Sequence, residues 1–204
     1  GEKLNEAKLA SEIGISRPPL REAIRTLEEM QLVKYTPRKG SVVSPISINA
    51  LKELYETREM VETYAIELYK RKDITEIPLA EESIRSSKEL SVPDMDNLRE
   101  RLEHLRAFAA FHYYLVEGSG NPQLAYIYKR LGYELSRYQF IYAYYPVVNS
   151  NSPEDHFKIF DMIRHKHYDE AKEEIRQHIL AFVEILKSKM IEKKSSESVN
   201  LNAK

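Results

Sequence analysis

EIGISRPPLREAIRTLEEMQLVKYTPRK, residues 12–39, is the stretch that decides the fold of the amino-terminal part of this chain. Gly14 permits a tight turn between two helices, because glycine adopts backbone conformations that other residues avoid. Ser16 is a favourable N-cap for the next helix, and Pro18 and Pro19 are tolerated in its first turn, where backbone amides have no intrahelical partner. The stretch therefore predicts a helix, a turn and a second helix in immediate succession.

The second predicted helix has two different faces. Arginines recur at every fourth position, Arg17, Arg21 and Arg25, and therefore stack along one side of a helix. Apolar residues follow the spacing i, i+3, i+4, i+7 along another side, at Leu20, Ala23, Ile24 and Leu27. Such a helix packs on its own domain with the apolar face and presents the cations to solvent.

A basic hairpin follows the second helix. Residues 33–36 and 41–43 are typical of short strands, and the turn between them contains Arg38, Lys39 and Gly40. Cations at such a tip can contact phosphates with salt-sensitive affinity, and a helix arginine can pair with guanine edges in the major groove. Arginine spacing alone is typical of an ordinary solvated helix face. Together with the glycine turn and the hairpin, in this order, it indicates a winged helix-turn-helix that binds double-stranded DNA.

SRPPLREAIRTLEEMQLV and PRKGSVV, residues 16–33 and 37–43, resemble the DNA-binding head of the GntR family of bacterial transcription regulators. The resemblance covers about residues 1–45. It implies a homodimer that reads a pseudo-palindromic operator, with Arg17 and Arg21 at bases or phosphates and Gly40 at the wing tip.

Two departures from the family pattern bear on DNA binding. Ala7 stands where an arginine is often found at the start of the second family helix, which removes one expected DNA contact. The helix that precedes GEKL in the family is absent from the sequence. We therefore expect Gly1 to be a truncation or processing point and the head to be loosened.

Composition limits the possible classes of protein. A chain of 204 residues with 42% hydrophobic content can form two small domains with their own cores. Residues 1–45 contain eight Lys and Arg against six Asp and Glu, a charge of +2, so the net charge of −1 leaves −3 for the remainder. The net charge of −1 argues against a protein that coats nucleic acid in general, while the positive charge is local to residues 1–45.

The chain contains no cysteine, which excludes disulfides and thiolate metal sites. It has no signal-like start and no apolar run long enough to span a bilayer. We therefore expect a cytoplasmic protein that does not enter a membrane.

A second domain is predicted after Pro45, where long helical patterns replace the mixed signals of the head. The last stretch, residues 191–204, lacks apolar periodicity and is expected to be a frayed or disordered tail. The predicted fold is mainly α, with a winged helix-turn-helix head over residues 1–45 and an all-helical antiparallel bundle over residues 46–190. The predicted bundle helices are residues 48–71, 78–91, 94–117, 122–145, 153–166 and 169–190.

Three histidines lie on otherwise apolar faces of the predicted helices. His112, His156 and His178 each neighbour aliphatic or aromatic residues one turn away, so each is predicted to point into the bundle. A single buried histidine is typically satisfied by a neighbouring carbonyl. Three on three helices can instead assemble a site for zinc, nickel, copper or iron, because neutral imidazoles suit these metals. The residues alone leave both interpretations open.

FHYYLVEGSGNPQL, DHFKIFDMI and AKEEIRQHI, which begin at residues 111, 155 and 171, resemble the FCD effector domain of the FadR subfamily over about residues 48–190. Metal-binding members carry an aspartate four residues before the first histidine and a histidine in each of two later helices. The resemblance implies that His112, His156 and His178 bind a divalent metal, zinc or nickel.

Phe108 stands at the position of the family aspartate. The site would then have three imidazole ligands and no protein carboxylate. Such a site has open positions for water or for the oxygens of an effector, or it holds its metal more weakly.

Arg58 and Glu62 are charged residues on the core side of the first predicted bundle helix. They are one turn apart, a spacing that predicts an internal salt bridge. The family implies in addition that Arg58 lies in the effector pocket, where a guanidinium can hold a carboxylate through two parallel hydrogen bonds. A tyrosine-rich run, residues 126–145, could line the same pocket with hydroxyl groups, but such aromatic spacing is more often plain packing.

These features favour a transcription regulator that responds to a small organic acid bound at the metal and Arg58. One alternative is a three-histidine metal-dependent hydrolase, in which the metal lowers the pKa of a bound water. That alternative needs a general base, which no recognisable motif supplies, and it leaves the arginines of the head unexplained, so we do not expect an enzyme. Another alternative is a DNA-binding protein whose metal is purely structural.

Overall fold

The computed structural model describes residues 1–90, 93–94, 96–144 and 153–201 of the chain. The fold is mainly helical, with a two-stranded antiparallel sheet near the amino terminus, as predicted. No helix in these ranges has the length and apolarity that crossing a membrane requires. The elements are α1 Glu6–Ile13, α2 Arg17–Glu29, β1 Val33–Thr36, β2 Gly40–Val43, α3 Ile48–Lys72, α4 Pro78–Glu89, α5 Leu98–Glu117, α6 Pro122–Tyr144, α7 Pro153–Arg164 and α8 Tyr168–Leu201.

The head consists of α1, α2 and the hairpin of β1 and β2. Gly14 ends α1 in the left-handed region at φ 77°, which is the predicted turn. In the hairpin Thr36 pairs with Gly40, so Gly40 begins β2 directly after the turn. Lys3 also forms an isolated antiparallel β-bridge with Val42, which was not predicted. The predicted winged helix-turn-helix is confirmed.

The start of α2 carries the predicted prolines but not a side-chain cap. Ser16 occupies the N-cap position, yet its hydroxyl accepts no hydrogen bond from the helix. An N-cap side chain bonds the amide of the second or third helical residue, and here these residues are Pro18 and Pro19, which have no amide hydrogen. The Ser16 side chain therefore cannot cap α2, because the two residues that would donate to it are prolines.

The apolar face of α2 is narrower than predicted. Ala23 and Leu27 are exposed to solvent. Among the described elements α2 packs against α1 and β1, and only Leu20 and Ile24 of α2 are buried there. The buried core of the head is formed by Ala10, Leu20, Ile24 and Val33.

The bundle is formed by helices α3 to α8. α3 packs against α5, α6 and α8, while α4 packs against α5 and α7. Buried apolar residues of the bundle form one large cluster that is separate from the cluster in the head. The helix bounds agree with the predicted bounds to within four residues, except at the end of α8.

The last helix is longer than predicted. Its backbone is helical to Leu201, whereas the predicted helix ends at residue 190. Residues 202–204 of the predicted frayed tail lie outside the described residues. The frayed or disordered state of the tail stays a prediction.

Candidate metal centre and DNA-binding surface

Three histidines from three helices meet inside the bundle. His112 of α5, His156 of α7 and His178 of α8 are 5%, 1% and 9% exposed. One nitrogen atom from each ring lies within 4.8 Å of those of the other two. The predicted inward orientation of all three side chains is confirmed, and in the described part of the chain they form the one cluster that could hold a metal ion.

The distances within this cluster fit a shared cation. His156 Nε2 lies 3.2 Å from His178 Nε2. Two nitrogens bound at about 2.0–2.1 Å to one zinc ion are separated by roughly 3.4 Å in tetrahedral geometry, and by roughly 3.0 Å at right angles. The same distance also allows one N–H···N hydrogen bond between two neutral rings. A cation would use both lone pairs, whereas the hydrogen bond uses only one.

A small cavity adjoins the three rings. Its volume of about 20 Å³ is enough for one water molecule or one metal ion. Its wall combines the histidines with one guanidinium, one amide and several apolar side chains. The cavity is lined by Arg58, Leu105, Phe108, Ala109, His112, Gln139, His156, His178 and Phe182.

Glu62 is the buried carboxylate that organises this site. It is fully buried, and its Oε2 lies 2.8 Å from His112 Nδ1. Its Oε1 accepts hydrogen bonds from Arg58 Nε at 2.6 Å and from the Tyr128 hydroxyl at 2.7 Å. Because the Nδ1–H of His112 donates to Glu62, the lone pair of His112 is on Nε2. Such a carboxylate partner is what orients metal-binding histidines in proteins.

The protonation states of the site suit a metal. Burial, together with His112 and Arg58, lowers the pKa of His178 to about 3. Burial also lowers the pKa of His156 well below its ordinary value, and it outweighs Glu62 in lowering the pKa of His112. Burial would raise the pKa of Glu62, but Arg58 and His112 outweigh it and lower this pKa to about 2. The site thus offers three neutral imidazoles and an ionised carboxylate near neutral pH.

Phe108 occupies the wall where the family resemblance places an aspartate. Its ring centroid lies 5.8 Å from that of His156 and 4.7 Å from that of His104. His165 and His167 are exposed in the turn between α7 and α8, and they lie outside the cluster. The three imidazoles therefore have an aromatic neighbour at the position where the family resemblance implies a carboxylate.

Arg58 faces the cavity while it is bound to Glu62. It is 5% exposed, and the predicted salt bridge to Glu62 is present at 2.6 Å. Its guanidinium carbon lies 5.4 Å from the centroid of the Tyr55 ring. The pKa of Arg58 is raised by Glu62 in spite of burial, so the cation is permanent.

Several residues of the site were not predicted from the sequence. Glu62 was expected only as the partner of Arg58, and its bond to His112 joins residues 50 positions apart. Tyr128 comes from the tyrosine-rich run, in which no individual ligand could be identified. Gln139 lines the cavity from the same helix. Asp155, whose Oδ2 lies 3.9 Å from His178 Nδ1, is the residue before a predicted ligand.

The predicted DNA-binding residues lie on the surface of the head. Arg17, Arg38, Lys39 and Gly40 line one exposed crevice between α1, α2 and the wing. Arg21 instead donates from Nε to Glu6 at 2.8 Å, and Arg25 pairs with Glu22 at 2.9 Å. The three arginines of α2 therefore differ in their surroundings. Arg17 faces the crevice beside the wing, whereas Arg21 and Arg25 already have acidic partners.

We expect the free energy of unfolding of the metal-free protein to fall as the pH drops below about 6.5, the ordinary pKa of histidine. The pKa values of the three buried histidines are lowered in the folded protein, that of His178 to about 3. The unfolded chain therefore binds more protons over this range, and each histidine contributes a slope of up to about 1.4 kcal/mol per pH unit. Below about pH 4.5 the protonation of Glu62, with its pKa of about 2, adds to the loss.

Urea unfolding at a series of pH values measures this dependence. The variant His178→Phe should show a shallower slope than the wild-type protein. A free energy of unfolding that stays constant between about pH 7 and pH 5 would show that these imidazoles are not buried in the neutral form.

The winged head and the separate helical domain define a class of protein, the DNA-binding transcription regulators. The chain belongs to the GntR family. The profile "Bacterial regulatory proteins, gntR family" matches residues 1–43, and the profile "FCD domain" matches residues 53–181. The FCD match is consistent with the resemblance to the FadR subfamily.

Proteins similar in sequence to this chain carry the names of transcription regulators. The chain is 30% identical to the uncharacterized HTH-type transcriptional regulator YdhC of Bacillus subtilis (strain 168) over 183 residues, which cover 89% of this chain and 78% of the relative. It is 28% identical to the HTH-type transcriptional repressor GlaR of Escherichia coli (strain K12) over 197 residues, or 93% of this chain and 88% of that repressor. These relatives and both families are regulators, which confirms that the chain is not an enzyme.

Solved structures share the fold. Lar of Listeria monocytogenes superimposes with a TM-score of 0.64 at 21% identity, over 92% of this chain and 87% of Lar. A GntR-family regulator from Pseudomonas syringae superimposes with a TM-score of 0.58 at 21% identity, over 95% of this chain and 79% of that protein. The fold of the described residues is therefore shared with these solved structures.

Proposed function

We propose that this regulator responds to a small carboxylate that binds at a metal held by His112, His156 and His178. The observation that carries the proposal is the convergence of three buried, neutral imidazoles on a cavity that Arg58 also lines. Zinc or nickel fits such a nitrogen-rich ligand set. When bound, the metal would supply a Lewis-acidic centre with open positions for carboxylate oxygens.

The residues around the metal would each have a definite role. Glu62 holds His112 in the tautomer that presents Nε2 to the cavity, and it fixes the direction of Arg58. Arg58 would donate hydrogen bonds to the second oxygen of an effector carboxylate. Three neutral ligands leave the charge of a divalent cation uncompensated, and the charges of Arg58 and Glu62 cancel. The buried site would therefore favour an anion.

We propose that the head reads DNA with Arg17, Arg21, Arg25, Arg38, Lys39 and Gly40. The wing crevice would contact phosphates, and the arginines of α2 would reach base edges. A homodimer would place two heads on the half-sites of a pseudo-palindromic operator, one helical turn apart. The separate cores of head and bundle support the division into residues 1–45 and 46–190. In this role the protein would act in the cytoplasm.

The test is a DNA titration under controlled metal and salt conditions. A duplex that the protein selects from a random pool is titrated with zinc-loaded protein, alone and with each member of a panel of small carboxylates. We expect one acid to change the dissociation constant for DNA by about fivefold or more, and DNA to change the affinity for that acid by the same factor. Equal DNA affinity with every acid that binds would remove the proposed response.

A second candidate is a purely structural metal, which the small volume of the cavity favours. Chelation would then lower the thermal stability of the bundle, and no carboxylate would bind. The hydrolase alternative is not supported, since Glu62 is bound by three donors and its low pKa makes it a poor base.

A further inference from the structure

Helix α6 touches the candidate metal centre at two positions. Tyr128 donates its hydroxyl hydrogen to Glu62 at 2.7 Å, and Glu62 in turn holds His112. Gln139, about three turns further along, is one of the residues that line the cavity. An occupant of the cavity would therefore contact α6 directly at Gln139 and indirectly at Tyr128.

The same helix also binds the head. Arg130 donates from Nη2 to the carbonyl oxygen of Glu29 at 2.6 Å, and Glu29 is the last residue of α2. Carbonyl groups at a helix end have no intrahelical partner, so a cation there both caps the helix and complements its dipole. The side chain of Arg130 thus binds the carboxyl end of α2, the helix that carries Arg17, Arg21 and Arg25.

A second group of contacts joins α6 to the linker between head and bundle. Arg137 donates from Nη2 to the carbonyl oxygen of Ser44, and the Tyr138 hydroxyl donates to the carbonyl oxygen of Ser47 at 3.3 Å. Both residues immediately precede Gln139 on the helix. A shift of α6 that is caused at Gln139 must therefore move the two side chains that hold the linker.

We propose that α6 transmits the state of the cavity to the DNA-binding head. Gln139 is the contact on the cavity side, and Arg130 and Arg137 are the contacts on the head side. The proposal rests on the proposed function, since it assumes that the cavity is occupied. The physical basis is that one rigid helix carries both sets of contacts, while the contacts to the head are single, partly solvent-exposed hydrogen bonds that a small displacement can break.

The experiment measures amide hydrogen exchange of the whole chain with and without Zn²⁺, without any effector. In the wild-type protein we expect Zn²⁺ to slow exchange in α5, α7 and α8 near the histidines. It should also change exchange at the end of α2 and in the linker by about fivefold or more. In the double variant Arg130→Met/Arg137→Met, protection near the histidines should remain and the response of the head should be lost. Gln139→Ala should weaken the response of the head in the same way.

Lys129→Met is the matched control. Lys129 is exposed at the position before Arg130, and within the described ranges it makes no hydrogen bond to the head. This variant should respond as the wild-type protein does. A response of the head that persists in the double variant, or bundle protection without any response of the head in the wild-type protein, would overturn the coupling while leaving the metal site in place. An absence of protection near the histidines would instead overturn the proposed function, and the coupling with it.

Discussion

Replacement of His156 by alanine is expected to lower the affinity for Zn²⁺ by more than about 100-fold. Groups that only orient a metal ligand contribute about 10–100-fold to affinity, and a directly binding imidazole contributes more. His156 is 1% exposed, and its Nε2 lies 3.2 Å from that of His178, so its removal would leave only two of the three imidazoles of the cluster. Competition with a zinc-binding dye measures the change.

Two further variants separate ligand loss from other effects. His165→Ala removes an exposed histidine from the turn between α7 and α8 and should leave Zn²⁺ affinity unchanged. Phe108→Asp should tighten binding, because it places a carboxylate one helical turn before His112. If His156→Ala bound Zn²⁺ as tightly as the wild-type protein, the three-histidine site would be wrong.

Replacement of Glu62 by alanine is expected to lower the free energy of unfolding by about 3–5 kcal/mol, the cost of breaking a buried ion pair from one side. Glu62 is fully buried and Arg58 is 5% exposed, so the variant would leave the guanidinium in the core without a counter-charge. Tyr128 and His112 would lose their acceptor at the same time. Urea unfolding of the metal-free protein above pH 7 measures the loss.

The double variant Arg58→Met/Glu62→Leu tests the cause of this loss. Removing both charges and filling the space with apolar groups should restore much of the stability, because the isolated charge is what costs free energy. Glu82→Ala is the control: it breaks an exposed pair with Arg85 and should have little effect. A double variant as unstable as Glu62→Ala would point to packing rather than charge.

The sequence was sufficient for the features that depend on local order. The helices of the bundle follow from the period of their apolar residues, and the turn at Gly14 follows from the backbone freedom of glycine. The inward direction of His112, His156 and His178 follows from their apolar neighbours one turn away. The missing side-chain cap of α2 also follows from the sequence, since prolines stand at both positions that would donate to Ser16, although Ser16 was predicted to be a favourable N-cap.

Local sequence patterns could not predict which residues of different helices contact each other in the site. Glu62 meets His112 across 50 residues and Tyr128 across 66, and Arg130 meets Glu29 across 101. A periodic pattern shows which face of a helix is buried, but not which residue of another helix lies opposite. That depends on how the helices are rotated and displaced against each other when the core packs.

The sequence by itself therefore determined the elements of this protein, the head that binds DNA and the three imidazoles that point into the bundle. Tertiary structure alone decided that Glu62 contacts one of these imidazoles, that Phe108 and Gln139 border the cavity, and that α6 has contacts with both the cavity and the head. The reason is physical: secondary structure and burial are encoded by neighbours within one or two turns, whereas a site is made by side chains that only the packing of distant segments brings together.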